Sequence, residues 1–443
     1  MIVNDRLKLV LLPAVTAFNL IFFCISCDSK DHKNTHDDGG GSQRKLWETL
    51  LPTEIYYSSP ALSADEHTVY IGTSLWLTGI HGGRHYFAAL DASTGSVQWI
   101  YPLGANEVRS SPAVAADGSI YVAVELRDSV GGVMMGTRLY KFSVQGDSLW
   151  TRNINPTNVN LDIGLSAPAI AGDGTVYIAG DSLYAFHADG ARRWSALSAP
   201  LGMMEALMNS PVIGPDGTIY FVFHNIPLTA LNPSDGSVKW SCPLGVNDHC
   251  FASPAIGADG TIYVATNPGI LYAVSSAGNI QWTFNINSAG FSGFFRSSPS
   301  VGRDSTIYFG LNYGFPSSAF FALNSNGSVK WIFEPTDLPD DVPADHFDIY
   351  SSPALGTDST VYFGQEFGRV YALNTVDGSL KWMAETKSGI TWSSPAISRN
   401  GILFISDISG SVFGFQTDSK GIDSTAAWPK YRYNNRNTGR KDH

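Results

Sequence analysis

Charged residues are scarce in this sequence, at 15% of 443 residues, and acidic residues outnumber basic ones by 39 to 28. The formal net charge of −11 argues against a nucleic-acid partner, because binding to phosphates needs a basic surface. The sequence also contains no phosphate-binding loop, no serine nucleophile elbow and no metalloprotease helix motif. Composition and motifs therefore give no support to the commonest nucleotide-dependent and hydrolytic functions.

Cysteine is rare as well, with four copies in the chain. Cys24 and Cys27 lie in the N-terminal segment, which leaves Cys242 and Cys250 for the body of the protein. In an oxidising compartment these two can close a nine-residue loop, counting both ends, and stiffen it. We expect a structural disulfide between Cys242 and Cys250, with two separate buried thiols as the alternative.

An apolar stretch near the start, from Leu9 to Phe23, follows the basic residues Arg6 and Lys8. It is shorter than the roughly 20 residues of a membrane-spanning helix. A short apolar run behind a positively charged start is typical of an export signal. We therefore expect residues 1–26 to be a signal peptide.

The end of this signal resembles a bacterial lipobox. Ser26 stands directly before Cys27, although Cys24 occupies a place where Leu is usual. We expect lipidation at Cys27, which would anchor the protein to a membrane; the alternative is an ordinary signal that is cleaved without lipidation. Residues 27–43 are polar and Gly-rich, which is typical of a flexible tether.

A repeated unit, present eight times, organises the rest of the chain. Each copy begins with a Ser-Pro or Ala-Pro step, and the steps are Ser59-Pro60, Ser111-Pro112, Ala167-Pro168, Ser210-Pro211, Ser253-Pro254, Ser298-Pro299, Ser352-Pro353 and Ser394-Pro395. A hairpin signal follows, such as Asp117-Gly118 or Asp173-Gly174 between apolar strands. Gly accepts the positive φ that a two-residue hairpin turn demands.

Each unit then adds a third strand, such as Leu183 to Phe186, and closes on a fourth strand that ends in tryptophan. Seven units carry this tryptophan in place: Trp99, Trp150, Trp194, Trp240, Trp282, Trp331 and Trp382. Four short antiparallel strands in 42 to 56 residues is the period of a propeller blade. We predict an all-β protein, an eight-bladed β-propeller of four-stranded antiparallel blades over residues 44–418.

The eighth unit, which starts at Pro395, lacks its tryptophan. Trp47 lies 13 residues before Pro60, the spacing that also separates Trp99 from Pro112. We therefore predict that an N-terminal strand completes the last blade and closes the ring. Residues 419–443 remain as a C-terminal extension, which we expect to pack on the exterior of the propeller.

The segments from Ala89 to Trp99 and from Ala372 to Trp382 resemble the tryptophan-docking repeat of the pyrroloquinoline-quinone-like propeller family. The resemblance covers about residues 44–418. It implies that the tryptophan of each blade packs on the next blade, a structural role for Trp47, Trp99, Trp150, Trp194, Trp240, Trp282, Trp331 and Trp382. The fold hosts both quinoprotein dehydrogenases and non-catalytic scaffolds, so the resemblance alone does not define a function.

The four connections of each blade divide between two faces of a propeller. The tight Gly turns fall on one face, and the second-to-third strand loops and the blade-to-blade links fall on the other. The second group contains the expansions, which are residues 73–85, 125–138, 151–166, 195–210 and 332–352. Long loops on a rigid scaffold are the natural place for binding, so this face is the candidate.

The residue two before each Ser-Pro or Ala-Pro step should lie where the innermost strand enters, near the axis. We predict a ligand- or partner-binding mouth formed by Tyr57, Arg109, Phe251, Arg296, Tyr350 and Trp392. Aromatic rings and guanidinium groups suit a carboxylate-bearing or extended peptide ligand. The alternative is that these side chains plug the channel, with each Arg paired to an acid such as Glu107.

Two groups of residues resemble metal ligands only superficially. The acidic insertion contains Asp337, Asp340, Asp341, Asp345 and Asp348, but this spacing does not fit a calcium-binding EF-hand loop. His81 and His85 have no evident third ligand. We expect no metal site and no cofactor.

The sequence favours a non-enzymatic, lipid-anchored scaffold of the bacterial cell envelope, facing the periplasm or the cell surface. Its expected partners are envelope or outer-membrane proteins, with the chain a monomer within a complex. One alternative is a quinoprotein dehydrogenase that binds pyrroloquinoline quinone and calcium beneath a disulfide of adjacent cysteines, a pair that the chain lacks after the signal. The other is a surface binder of glycans, for which exposed aromatics are the argument.

Overall fold

The computed structural model describes residues 44–75, 84–128, 134–155, 166–197, 209–222, 227–245, 250–315, 317–335 and 348–441. The expected signal peptide, the tether and Cys27 lie outside these residues. So does His81, together with the acidic insertion up to Asp345. Over the described ranges, no helix has the length and apolar character that a membrane span requires.

The strands form eight four-stranded antiparallel sheets. The first strand, β1 (Lys45–Leu50), belongs to the last blade, and the others fill the blades in chain order. Blade 1 contains β2 (Ala61–Leu62), β3 (Thr68–Gly72), β4 (His85–Asp91) and β5 (Val97–Gly104). Blade 2 contains β6 (Ala113–Val114), β7 (Ile120–Arg127), β8 (Met134–Phe142) and β9 (Ser148–Asn155). Blade 3 contains β10 (Ala169–Ile170), β11 (Val176–Ala179), β12 (Leu183–Phe186) and β13 (Arg192–Ala196).

Blade 4 contains β14 (Val212–Ile213), β15 (Ile219–Phe221), β16 (Leu228–Leu231) and β17 (Val238–Cys242). Blade 5 contains β18 (Ala255–Ile256), β19 (Ile262–Thr266), β20 (Ile270–Val274) and β21 (Ile280–Asn285). A short 3-10 helix (Ile286–Ala289) and β22 (Ser292–Phe294) follow. Blade 6 contains β23 (Ser300–Val301), β24 (Ile307–Gly310), β26 (Phe320–Leu323) and β27 (Val329–Phe333), while β25 (Asn312–Phe315) pairs with β22.

Blade 7 contains β28 (Ala354–Gly356), β29 (Thr360–Gln365), β30 (Arg369–Asn374) and β31 (Leu380–Glu385). Blade 8 contains β32 (Ala396–Ile397), β33 (Ile402–Ser406), β34 (Ser411–Gln416) and β1. β1 runs antiparallel to β34, with Glu48 opposite Phe413. The eight-bladed fold and its closure by the N-terminal strand are thus confirmed.

The turn between the first and second strands of a blade differs in detail from the prediction. In blade 2, Gly118 donates to the Ala115 carbonyl oxygen and Ala115 N–H donates to Ser119 O. This is a three-residue loop in which Gly118, at φ 83°, forms the bulge position. The Asp117 carboxylate accepts the Ser119 N–H at 2.9 Å, which explains why Asp precedes Gly in these turns.

The sheet surfaces are buried because each blade lies between two others. The middle strands are apolar on both faces, as in β11 and β12, whose residues are all buried. Phe320 of blade 6 stacks on Phe363 of blade 7 with ring centroids 4.1 Å apart. Outer strands alternate between exposed and partly buried residues, as in β5, because their outer surface faces water.

Tryptophan docking joins the blades at the rim. In seven of the described blades the indole Nε1–H donates to a carbonyl oxygen in the third-to-fourth strand turn of the next blade; the pairs are Trp47 with Ala92, Trp99 with Val144, Trp150 with Ala188, Trp194 with Pro233, Trp240 with Ser276, Trp282 with Ser325 and Trp331 with Thr375. Trp382, in blade 7, faces blade 8. In that blade the third and fourth strands are β34 and β1, which come from opposite ends of the propeller sequence and are not joined by a turn. The guanidinium of Arg44 covers the Trp382 ring at 5.2 Å.

A ring of serine hydroxyls joins the blades near the axis. In six of the seven Ser-Pro steps the backbone N–H of the serine donates to the hydroxyl of the next serine at 2.9 to 3.0 Å; the donor and acceptor pairs are Ser59 with Ser111, Ser210 with Ser253, Ser253 with Ser298, Ser298 with Ser352, Ser352 with Ser394 and Ser394 with Ser59. Ala167 N–H donates to Ser210 in the same way. The one missing link follows Ser111, because Ala167 has no hydroxyl.

Completing this ring should stabilise the protein. We expect Ala167→Ser to raise the free energy of unfolding by about 1 kcal/mol, because a buried N–H gains an acceptor. Ser210→Ala should lower it by about 1–3 kcal/mol, because the Ala167 N–H loses its acceptor in a buried place. Urea unfolding measures both, with Ser424→Ala at an exposed position as the control. No gain from Ala167→Ser would mean that the Ser111 N–H already has a partner.

Cys242 and Cys250 both lie within the described residues, and the structure holds them as two separate thiols. The expected disulfide is therefore absent. Cys250 Sγ donates to Ala252 O at 3.2 Å and lies 3.4 Å from Ala265 O. Both side chains are buried, and burial raises the pKa of the Cys242 thiol.

The sequence predicted that the C-terminal extension packs on the exterior of the propeller. This prediction is wrong, because the extension crosses the axis. Backbone N–H groups at the ends of six innermost strands donate to its carbonyl oxygens; the pairs are Leu62 with Asn435, Val114 with Arg436, Ile170 with Thr438, Ile213 with Gly439, Val301 with Trp428 and Leu355 with Pro429. Blade 5 is reached by Lys441 Nζ, 2.5 Å from Gly257 O, and blade 8 by Asn435 Nδ2, 2.6 Å from Ile397 O.

The extension supplies hydrogen-bond partners to the innermost strands. Innermost strands are sheet edges whose backbone groups point into the channel and need partners. Arg432 donates to Pro168 O and Pro211 O at 2.5 and 2.7 Å, and Asn437 donates to Pro60 O and Pro112 O. Burial lowers the pKa of Lys430 to about 7. The extension thus closes the channel at the face that carries the tight turns, called here the turn face; the opposite face is called the loop face.

Candidate partner-binding mouth

All six side chains of the predicted mouth meet in one cavity at the loop-face end of the channel. Hydroxyl-bearing residues of the serine ring form its wall, and Tyr431 of the C-terminal extension forms part of its lining. The cavity measures about 30 Å³, which is the room taken by about one water molecule. The channel is therefore filled by side chains, and a ligand cannot enter it without displacing them.

All six residues come from the links between successive blades, and the rings of Tyr57, Trp392 and Tyr350 form a continuous arc. The Trp392 ring lies 5.1 Å from that of Tyr350 and 6.4 Å from that of Tyr57. Tyr313, in the second-to-third strand loop of blade 6, extends the arc at 6.4 Å from Tyr350, and Phe294 lies 5.8 Å from Tyr313. We call Tyr57, Phe294, Tyr313, Tyr350 and Trp392 the aromatic arc.

Arg296 lies within the curve of this arc. Its guanidinium carbon is 4.9 Å from the ring centre of Phe251 and 5.2 Å from that of Tyr313, distances at which cation–π attraction is effective. The residue is half-buried, and its Nε has no hydrogen-bond partner among the described residues. A planar cation with donor capacity is thus presented at the loop face.

Arg109 has a different environment, although it lines the same cavity. It is 2% exposed, and its Nε lies 2.8 Å from Glu107 Oε2 and 3.5 Å from Glu125 Oε2. Arg127 completes the group, 3.1 Å from Glu107 and in direct contact with Glu125. Burial alone would lower the pKa of Arg109, but the two carboxylates hold it above its ordinary value. Arg109 therefore behaves as the plugging alternative foresaw.

His85, weighed as a metal ligand, lies beside this group. Its Nε2 is 3.9 Å from Glu107 Oε1, and burial lowers its pKa. Over the described part of the chain, no three His, Cys, Asp or Glu side chains are grouped as metal ligands.

A second acidic pair lies near the arc in blade 7. Glu366 N–H donates to Asp348 O at 3.0 Å. Burial raises the pKa of Asp348 to about 6; burial and the neighbouring Asp348 carboxylate raise that of Glu366 to about 8. Sequence reasoning missed Glu366 entirely, and it took Asp348 as part of a solvated acidic rim, whereas Asp348 is 1% exposed.

The described residues do not fit a quinone cofactor. A site for a small molecule usually measures about 300–1,000 Å³, against the cavity of about 30 Å³ at the axis. The two described cysteines, Cys242 and Cys250, are not adjacent in sequence and are separate in the structure. No catalytic step through such a group can be derived from this site.

The repeat, the docking tryptophans and the closed mouth define an eight-bladed propeller of the pyrroloquinoline-quinone-like type. Within this class, the chain belongs to the family described as outer membrane protein assembly factor BamB, whose model matches residues 83–249 and 246–431. No curated protein matches the sequence.

Solved structures agree on the fold. BamB from Moraxella catarrhalis is 17% identical, with a TM-score of 0.59, and the match covers 84% of this chain and 99% of that one. A europium-containing methanol dehydrogenase is 11% identical, with a TM-score of 0.61 over 84% of this chain and 86% of that one. The C-terminal WD40 domain of Sif2 is 12% identical, with a TM-score of 0.60 over 85% and 98%. Such distant likenesses include enzymes and non-enzymes, so they define architecture only.

Proposed function

We propose that this protein is a non-enzymatic scaffold of the bacterial cell envelope that binds partner proteins through its loop face. The observation that carries the proposal is the aromatic arc with Arg296 at the mouth. Tyr, Trp and Arg are the residues most enriched at the energetic centres of protein interfaces, and here they are gathered on the face with the long loops.

The partial exposure of these side chains supports surface binding. Tyr57, Phe251, Arg296 and Trp392 are each half-buried, so a partner can cover them without entering the channel. Their positions are held by neighbouring rings, which lowers the entropy lost on binding. Arg109 is excluded from this surface by its burial, so Arg296 is the guanidinium that a partner would meet.

Family membership and the N-terminal sequence support the location. The family is described as an outer membrane protein assembly factor, and the segment before Cys27 has the features of a lipoprotein signal. We propose lipidation at Cys27, envelope or outer-membrane proteins as partners, and action as a monomer within a complex. The acidic net charge of −11 is consistent with a protein partner and not with nucleic acid.

Crosslinking in intact cells followed by pull-down from membranes tests the surface. The double variant Arg296→Ala/Trp392→Ala should recover its partners at one tenth of the native level or less, because loss of two central anchors typically costs more than about 2 kcal/mol. Lys420→Ala, at an exposed turn-face position, is the control and should recover them fully. Native recovery by the double variant, with an unchanged unfolding temperature, would refute binding at the mouth.

A further inference from the structure

The acidic pairs Glu107/Glu125 and Asp348/Glu366 occupy equivalent places in blades 2 and 7. In each pair the first residue lies 4 before the serine of the Ser-Pro step and the second lies 14 after it. Each pair is joined by a backbone hydrogen bond of 3.0 Å: Glu107 N–H donates to Glu125 O, and Glu366 N–H donates to Asp348 O. The serines before the two steps agree as well: Ser110 Oγ accepts Ala123 N–H and Ser351 Oγ accepts Gly364 N–H.

In blade 2 the pair is complete, because two guanidinium groups balance two carboxylates. Arg109 precedes Ser111 by 2 and Arg127 follows it by 16, and both lie within 3.5 Å of the carboxylates. This blade shows which chemical group the arrangement accepts. It binds planar cations that donate several hydrogen bonds at once.

In blade 7 the two arginine positions hold other residues. Tyr350 stands in the place of Arg109, and Gly368 in the place of Arg127. Among the described residues no lysine or arginine nitrogen lies within 4.0 Å of either carboxylate. Asp348 accepts hydrogen bonds from Tyr313 N–H and from Ser318 Oγ. The positive charge of Arg296, in the link into the preceding blade, lowers the pKa of both acids, so one guanidinium group faces two carboxyl groups where blade 2 has two.

We propose that the pair Asp348/Glu366 is the half-filled equivalent of the blade 2 site and receives an arginine side chain from a partner protein. Glu366 is half-buried and supplies the accessible carboxylate. The adjacent Phe367, 42% exposed, provides apolar surface for the aliphatic part of the arginine side chain. The inference rests on the proposed function, since it names the chemistry of a partner at the same mouth.

The raised pKa values of the two acids agree with this assignment. A buried carboxyl that lacks a cation keeps its proton, whereas one that contacts a guanidinium loses it. Burying an unbalanced carboxyl pair serves no purpose in packing, because apolar side chains fill the same place in blade 8, where Ile390 and Ile408 stand.

Binding of labelled peptides to the full-length protein tests the proposal by fluorescence anisotropy. The probes are a fluorescein-labelled Gly-Tyr-Arg-Gly peptide and the same peptide with citrulline, the neutral isostere of arginine. The arginine peptide should bind at least about tenfold more tightly, because only its guanidinium forms a charge-assisted pair. Equal binding of the two peptides would overturn the proposal.

Variants locate the site. Glu366→Gln should weaken the arginine peptide about tenfold and leave the citrulline peptide unchanged, while Glu385→Gln, on an exposed outer strand of the same blade, should change neither. Tyr350→Arg places a guanidinium group at the position that Arg109 has in blade 2 and should block the arginine peptide. An unchanged dissociation constant for Glu366→Gln would refute the site. If the pull-down still depends on Arg296 and Trp392 in that case, the scaffold function stands and only the arginine chemistry fails.

Discussion

A chain that ends after Ala427 is expected to lose cooperative folding. The removed segment, Trp428 to Lys441, supplies backbone partners to innermost strands in six blades and side-chain partners to the other two. A buried backbone group that loses its partner costs about 1–3 kcal/mol, and several such losses together equal the whole stability of a typical domain, about 5–15 kcal/mol. The truncated chain would also expose the core around Trp428, which is 1% exposed.

Circular dichroism during heating measures this effect. The truncated protein should show no sharp transition or one lowered by more than about 10 °C. A chain that ends at Lys441 is the control, because it keeps every contact of the extension described above, and it should melt as the full-length protein does. Trp428→Ala should fall between them, with a loss of about 3–5 kcal/mol. A truncated protein with the native transition would show that water replaces the extension at the axis.

The second large effect is expected at the docking turns. Gly236 has φ +75°, and a Cβ there would lie 2.7 Å from Cε3 of Trp194. Gly236→Ala should cost about 2–5 kcal/mol, because a left-handed backbone costs about 1–2 kcal/mol for alanine and overpacking adds about 1–3 kcal/mol. Displacement of the Trp194 ring would also break its hydrogen bond to Pro233 O, 3.0 Å.

Gly217 in the same blade separates the two causes. It has φ +82°, but a Cβ there would meet only Pro233 Cγ, at an ordinary 3.7 Å. Gly217→Ala should therefore cost about 1–2 kcal/mol, from the backbone alone. Urea unfolding of both variants gives the difference between the two losses, which is the cost of the clash with the Trp194 indole. Equal losses for the two variants would show that the indole moves aside at no cost.

The two ends of the chain secure the ring at different radii. β1 completes blade 8 at the rim, with Trp47 docked on blade 1 through Ala92 O at 3.2 Å. The extension joins the blades at the axis, on the turn face. The links between blades hold the arc around Arg296 in place on the opposite face, the loop face.

The fold could be predicted from the amino-acid sequence alone. Blade number, strand order and the closing strand follow from the local alternation of apolar residues, from Gly turns and from the 13-residue spacing between Trp47 and Pro60, since each signal lies within one repeat. The residues of the mouth were also predicted, because a position near the axis recurs in every repeat.

The environment of each of these residues depends on contacts between blades, which the sequence did not reveal. Arg109 and Arg296 occupy the same position in their repeats, yet one is balanced by Glu107 and Glu125 and the other lies among rings. The separate thiols, the path of the C-terminal extension and the unbalanced pair Asp348/Glu366 depend equally on distances between distant parts of the chain. The charge balance and the space at the axis depend on side chains from all eight blades, so they cannot be read from the sequence of one repeat.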